Sequence, residues 1–301
     1  MDKVNAPVGG HQAIANARRL GTSLRKKRIR KFVGNKLAVF GLAVIVVFLF
    51  MALFAPFLTP YDPLEPNFGQ TLKGPSAEHW FGTDSMGRDL YTRVLYGARV
   101  SILIAVSSSL IANAIGVVMG AFGGYFGGWL DKGLVRLSEL FACFPQLIIV
   151  LVVMAFIGPG TFNLILVFAI TGWTGTFRLV RAEYMSKKEE TYVKACEAFG
   201  MSRLKIMFFQ ILPSVMTTVI IQVTMNIPGY VMSEAGLSFL GFGVPMSTPT
   251  WGTMLNAAKS MKVLLYAPGV WLVPGCAISL FVLAVNFFGD GLRDVMDPRQ
   301  Q

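Results

Sequence analysis

Charge is scarce in this chain. Only 14% of its 301 residues are Asp, Glu, Lys or Arg, whereas 54% are apolar; a soluble domain carries about a quarter charged residues. That balance defines a membrane-spanning chain. Histidine is nearly missing: His11 and His79 are the only two, which leaves a histidine-based active site little to build on. Cys143, Cys196 and Cys276 lie far apart with no C-x-x-C spacing, which argues against a disulfide framework or a zinc site. No G-x-x-x-x-G-K-[ST] run is present, so the chain is not expected to bind or hydrolyse ATP by itself. Nor does a G-x-S-x-G elbow, an H-E-x-x-H pair or a paired-carboxylate constellation occur. The formal charge of +11 does not read as a nucleic-acid footprint, because the basic residues sit between apolar runs instead of on one soluble face.

What is there is a succession of long apolar runs. Residues 1–36 form a basic tail, with Arg18, Arg19, Arg25, Lys26, Lys27, Arg28, Arg30, Lys31 and Lys36 against a lone Asp2. Part of it suits anionic headgroups. The run 37–58 is too long for a signal-peptide core and ends without an A-x-A site, so it reads as a retained first transmembrane helix. Residues 59–97 form a proline-rich, acidic external loop, in which Leu90, Tyr91, Val94 and Leu95 predict a short interfacial helix over 89–96. Five further spans are expected at about 100–122, 134–157, 162–180, 215–232 and 270–288, inside a core of 98–292, with a short tail over 293–301. The fold class is therefore an all-α polytopic membrane protein of about six transmembrane helices. Pro145 and Pro228 are expected to kink their spans.

With both termini inside, 21 of 27 Lys and Arg fall on the cytoplasmic side and six outside (Lys73, Arg88, Arg93, Arg99, Lys259, Lys262). That is the asymmetry of the positive-inside rule. Span two carries Ala112, Gly116, Gly120, Gly124 and Gly128, a small residue every fourth position. Two readings stand: a flat face for close helix packing, or a turn loosened by Gly123-Gly124 and Gly127-Gly128. Polar residues inside spans, among them Asn113, Thr224 and Asn226, are translocation-path candidates. They also suit hydrogen bonds between helices. Glu234, an acid at the end of span five, is a candidate for the outer mouth of a path.

The stretch 186–213 is polar amid apolar neighbours. Ser186 and Glu189 form a capping-box pattern that predicts a helix start. Tyr192, Ala195, Cys196 and Phe199 then fall at i, i+3, i+4 and i+7, one apolar stripe. Gly200 stands where a left-handed residue would end that helix. Ser202 is placed to cap a second short helix running toward Pro213.

Lys194-Ala195-Cys196, then Gly200, then Ile211-Leu212-Pro213 resembles the EAA loop of the permease subunits of bacterial ABC importers. Lys194 replaces the Glu common there, and Cys196 replaces an Ala. The resemblance extends from about Pro56 to Pro298. His79-Trp-Phe-Gly-Thr-Asp84-Ser-Met-Gly-Arg-Asp89, Gly124-Tyr-Phe-Gly-Gly-Trp-Leu-Asp131, Glu234-Ala-Gly-Leu-Ser-Phe-Leu-Gly-Phe-Gly243, Pro249-Thr-Trp251-Gly252 and Gly289-Asp-Gly-Leu-Arg-Asp-Val-Met-Asp-Pro298 are similar to signatures of dipeptide, oligopeptide and nickel permeases.

That resemblance implies a type I ABC importer permease fold in a bacterial inner membrane. It implies as partners a homologous second permease subunit, two ABC ATPase subunits that bind ATP and Mg, and an extracytoplasmic solute-binding protein. Tyr192, Lys194, Ala195, Cys196, Glu197, Phe199 and Gly200 would then form the ATPase-coupling element. The implied function is a non-catalytic subunit importing di- or oligopeptides, with nickel chelates or glutathione as alternative cargo. A self-contained secondary transporter is the rival class, although the spans lack the Asp/Glu/His relay that proton coupling uses.

Overall fold

A computed structural model of the chain describes residues 29–296; most of the basic tail and residues 297–301 lie outside the described residues. Among the described residues, β-type pairing amounts to one isolated bridge, Thr83 with Asp89. Five helices among the described residues are long and apolar enough to cross a bilayer, or six if a pair bent by 82° counts as one span. The chain is a multi-pass α-helical membrane protein.

Helix α1 (Lys36–Leu58) starts at Asn35, whose side chain accepts the Ala38 N–H at 3.2 Å. Val46, Val47, Phe50 and Leu53 stand exposed on it, an apolar surface that only hydrocarbon or another helix solvates well. Residues 29–34 precede α1 and meet the last helix, with Phe32 edge-on to Phe288 at 5.9 Å.

The acidic loop is folded by its own carboxylates. Asp84 accepts the N–H groups of Met86 (2.8 Å) and Arg88 (3.0 Å) and pairs with the Arg88 guanidinium. Asp89 caps α2 (Leu90–Phe126) by accepting the Thr92 N–H at 2.7 Å. The expected interfacial helix over 89–96 is corrected here. Those residues are the first two turns of α2, and Leu90, Val94 and Leu95 are buried. Leu90 and Val94 join the main core with Phe48, Trp251 and Val270, so what looked like a lipid-facing ridge is covered by other helices.

The packing reading of the glycine ladder holds through Gly124, and the turn reading holds for Gly127-Gly128 but not for Gly123-Gly124, which stay helical and buried. A Cβ at Gly116, Gly120 or Gly124 would lie 2.6–2.8 Å from the carbonyl oxygens of Trp173, Phe177 and Arg181, respectively. The three glycines therefore let α2 and α5 touch backbone to backbone. Gly127 and Gly128, at φ +66° and +63° with open space around them, make the turn into α3 (Gly128–Ala142). The third span is not one rod. It breaks at Pro145, and α4 (Gln146–Ile157) leaves α3 at 82°, because proline excludes its predecessor from helical geometry.

Helix α5 (Thr161–Lys187) follows, then α6 (Thr191–Ala198). The long α7 (Arg203–Leu240) runs through Pro228 without interruption. Two short helices, α8 (Trp251–Leu255) and α9 (Met261–Tyr266), lead to α10 (Gly269–Met296). Helix α2 is central, packed on α1, α5 and α7, while α10 closes against α1 and α7. The main core gathers Phe48, Ile104, Phe168, Tyr230, Trp251 and Phe281; a second gathers Val180, Tyr184, Val193, Ile206, Met207 and Ile211 beneath α6.

Candidate functional site

Two features stand out: the loop around α6 and a polar groove along α7. The predicted capping box does not form. Ser186 remains in the last turn of α5, its carbonyl accepting the Glu189 N–H at 3.3 Å, and α6 begins at Thr191 behind an extended Glu190. The preceding helix outlasts its apolar stretch and absorbs the serine.

The end of α6 matches the sequence reading. Gly200 adopts φ +76°. Its N–H donates to Glu197 O at 2.9 Å and the Met201 N–H to Cys196 O at 3.0 Å, the paired bonds of a Schellman motif. Cys196 and Met201 pack on the second core, the hydrophobic contact that accompanies such an end.

The apolar stripe is split. Val193, absent from the expected stripe, is fully buried, and Cys196 is half-buried beside it. Tyr192, Ala195 and Phe199 face outward, Phe199 at 91% exposure. One side of α6 anchors the helix to its own chain and the other is bare. Glu197 accepts a hydrogen bond from the Tyr125 hydroxyl at 3.0 Å, tying α6 to the end of α2. Lys194 pairs with Glu189 at 3.0 Å, both side chains more than half exposed.

Nor is there a second short helix ending at Pro213. Ser202 precedes α7 in extended geometry without a side-chain cap, and the helix continues to Leu240. A π-helical segment over Ile206–Ile211 precedes Pro213; there the Leu212 N–H reaches Met207 O, five residues back. The wider turn accommodates a proline that has no N–H to donate. Tyr184 on α5 donates to the same Met207 carbonyl at 3.0 Å. The loop is thus rigidly continuous with a membrane span.

The path candidates separate. Asn226 lines an open groove together with Gln146, Thr174, Gln222, Tyr230 and Ser233. Asn113 lies buried behind it, accepting from Thr176 at 2.5 Å and from Asn226 at 3.4 Å. Thr224 bonds its own helix at Ile220 O, 3.0 Å away. Glu234 is completely enclosed instead of lining an opening. It accepts from Ser101 (3.0 Å) and Ser238 (2.8 Å), and Ser101 in turn accepts the Trp251 N–H at 3.2 Å. The carboxylate therefore fastens α8 between α2 and α7. Sequence reasoning missed Gln146, Gln222, Tyr230 and Ser233. The recoverable signal was Gln222, Asn226 and Ser233 at i, i+4 and i+11 within one apolar span.

Five helices able to cross a bilayer, or six with the bent pair counted as one span, a short exposed helix joined to one of them and a polar groove along it describe a polytopic membrane protein. The chain belongs to the family of binding-protein-dependent transport system inner membrane components, which it matches over residues 112–301. Residues 23–75 match the N-terminal transmembrane domain of oligopeptide transport permease C. It is 39% identical to a putative peptide permease protein of Brucella suis over 271 residues, 90% of each chain. It is 37% identical to an oligopeptide transport system permease protein of Bacillus subtilis, covering 92% of this chain and 90% of that one. A glutathione transport system permease protein of Escherichia coli is 37% identical over 90% of this chain and 89% of its own. The chain is thus a permease subunit of the ABC importer class.

Proposed function

We propose that this chain imports short peptides as one half of an ATP-driven transporter. Its other members would be a homologous second permease, two cytoplasmic ATPases that carry the ATP and Mg, and an external solute-binding protein. The names of the Brucella and Bacillus relatives support peptide cargo. The Escherichia relative supports glutathione as a second reading, itself a small polyamide. The chain itself is a non-catalytic subunit. The basic end of the bundle, with both termini and α6, faces the cytoplasm in this reading, in keeping with the positive-inside distribution of charge.

One observation carries the proposal. Helix α6 holds Val193 and Cys196 to its own core yet leaves Tyr192, Ala195 and Phe199 bare, on an element continuous with α7. A short apolar face in water, fixed to a span, suits insertion into a cleft on a soluble partner. Movement of that partner becomes a tilt of the span. Lys194, Glu197 and Gly200 serve the same element by pairing, tethering and turning it.

Phe199→Asp tests this. It should preserve membrane abundance, because Phe199 touches little of its own chain, while ATPase co-purification and uptake are lost. In a chain otherwise free of cysteine, Phe199→Cys should react with an impermeant thiol reagent only in inverted vesicles. Gradient-driven uptake without ATPase subunits would favour the secondary-transporter class instead.

A further inference from the structure

The groove along α7 contains no charge. Gln146, Thr174, Gln222, Asn226, Tyr230 and Ser233 line it, with Gly172, Gly175, Gly229 and a methionine completing the wall. It starts at the middle of a helix of 38 residues and runs into its second half, within an apolar span, where an amide facing hydrocarbon loses its hydrogen bonds with water. A polar stripe there needs a wet or polar neighbour.

The stripe is also incompletely satisfied. Gln222 donates to Asn226 at 3.1 Å, Asn226 to Asn113 at 3.4 Å and Gln146 to Thr171 at 3.3 Å. A primary amide offers two donors and two acceptor positions, and these bonds use a minority of them. Tyr230 is 6% exposed, and among the described residues its hydroxyl has no hydrogen-bond partner. Gly172 makes the room for that hydroxyl, since a Cβ there would strike it.

Scale agrees with a short extended chain. Gln222 to Ser233 spans eleven helical steps, about 16 Å, which is the length of roughly five extended residues. The ligand chemistry that matches alternating donors and acceptors without charge is a polyamide backbone.

We propose that this groove is the cargo-contacting wall of the path. It holds a peptide by its main-chain amides, and its lack of charge lets acidic and basic side chains pass alike. The proposal rests on the peptide-import reading above and adds to it the residues that touch cargo and the selectivity they confer.

The test uses the assembled transporter with saturated binding protein, supplied separately with Ala-Ala-Ala, Ala-Glu-Ala and Ala-Lys-Ala. Asn226→Asp and Gln222→Glu should each slow the anionic peptide at least fivefold more than the neutral one, and the cationic peptide should not be slowed beyond the neutral one. Asn226→Ser, which adds no charge, should change all three alike. An independent readout is thiol accessibility in a chain whose three native cysteines are serine. Asn226→Cys and Ser233→Cys should react with a charged, water-soluble thiol reagent at least tenfold faster than Ile220→Cys, which lies on another face of α7, and peptide supply should slow that reaction. Acidic variants that leave the three rates in their wild-type proportion overturn the wall assignment. So do groove cysteines as inert as Ile220→Cys. A wild-type complex that takes up none of the three peptides overturns the functional reading itself, a result the wild-type lane shows before any variant is compared.

Discussion

Arg181 on α5 and Asp131 in the first turn of α3 form a two-pronged ion pair, Nε to Oδ1 at 2.5 Å and Nη2 to Oδ2 at 2.6 Å. The pair joins the helix that follows the Gly127–Gly128 turn to the one that packs on the glycine ladder. Both side chains are less than a third exposed. Fork-to-fork pairing of this kind combines charge with fixed geometry.

Asp131→Ala should therefore free α3 from α5 and lower stability by about 2 kcal/mol, the scale of a hydrogen bond to a charged group. A melt of the detergent-solubilised complex would show it. The exchange Asp131→Arg with Arg181→Asp should recover part of the loss. If the single variant melts with wild type, the pair holds nothing together.

Gly200 separates folding from coupling. Nothing lies within 4 Å of where its Cβ would be, yet φ is +76°. A side chain thus costs only backbone strain, about 1–2 kcal/mol and more if β-branched. Gly200→Val should reach the membrane at normal level but lose uptake, because the angle between α6 and α7 changes. Gly200→Asn tolerates the left-handed region and should keep a good part of the rate. Immunoblots beside uptake assays decide it.

Gly120 should behave oppositely. A Cβ there sits 2.8 Å from Phe177 O and 2.9 Å from Val180 Cβ, and neither neighbour is the end of a flexible chain. Gly120→Val must push α5 off α2, an overpacking cost of roughly 1–3 kcal/mol or more. Membrane abundance itself should fall, unlike that of Gly200→Val. Normal abundance would mean that the two helices separate freely.

Lys194 already has a partner in its own chain, Glu189. Exposed pairs of this kind contribute about 1 kcal/mol or less. Lys194→Glu should thus alter ATPase co-purification little, and Glu189→Lys added to it should restore even that. A large loss rescued only by a charge change on the ATPase would place the functional partner of Lys194 in trans.

Enclosure gives Glu234 a structural role that can be measured. Glu234→Ala removes the acceptor shared by Ser101 and Ser238 and leaves buried hydroxyls unpaired, at a cost of at least about 2 kcal/mol. Because Ser101 in turn holds the Trp251 N–H, the segment 241–268 should become the first site of proteolytic nicking. Glu234→Gln, which keeps an acceptor, should resist longer.

The chain's own pattern determined the class of the protein. Apolar runs near 20 residues, a lopsided distribution of Lys and Arg, and a glycine after an amphipathic turn are local facts. Bilayer thickness and backbone sterics convert the first and the last into spans and a left-handed helix end, and the charge distribution sets an expected orientation. Helix ends fared less well. Ser186 and residues 89–96 each carried a sound local signal, yet a longer helix took in both; Ser202 does precede a helix, but one without a side-chain cap that runs past Pro213 to Leu240. Only the tertiary structure decided which face of each helix is covered. Val193 turned inward while Phe199 stayed bare, and Glu234 was bound by Ser101, 133 positions away. The polar ladder of Gln222, Asn226 and Ser233 met Gln146 across the break at Pro145. Side-chain period fixes which residues share a face, but what that face meets depends on contacts between distant segments, which no local pattern encodes.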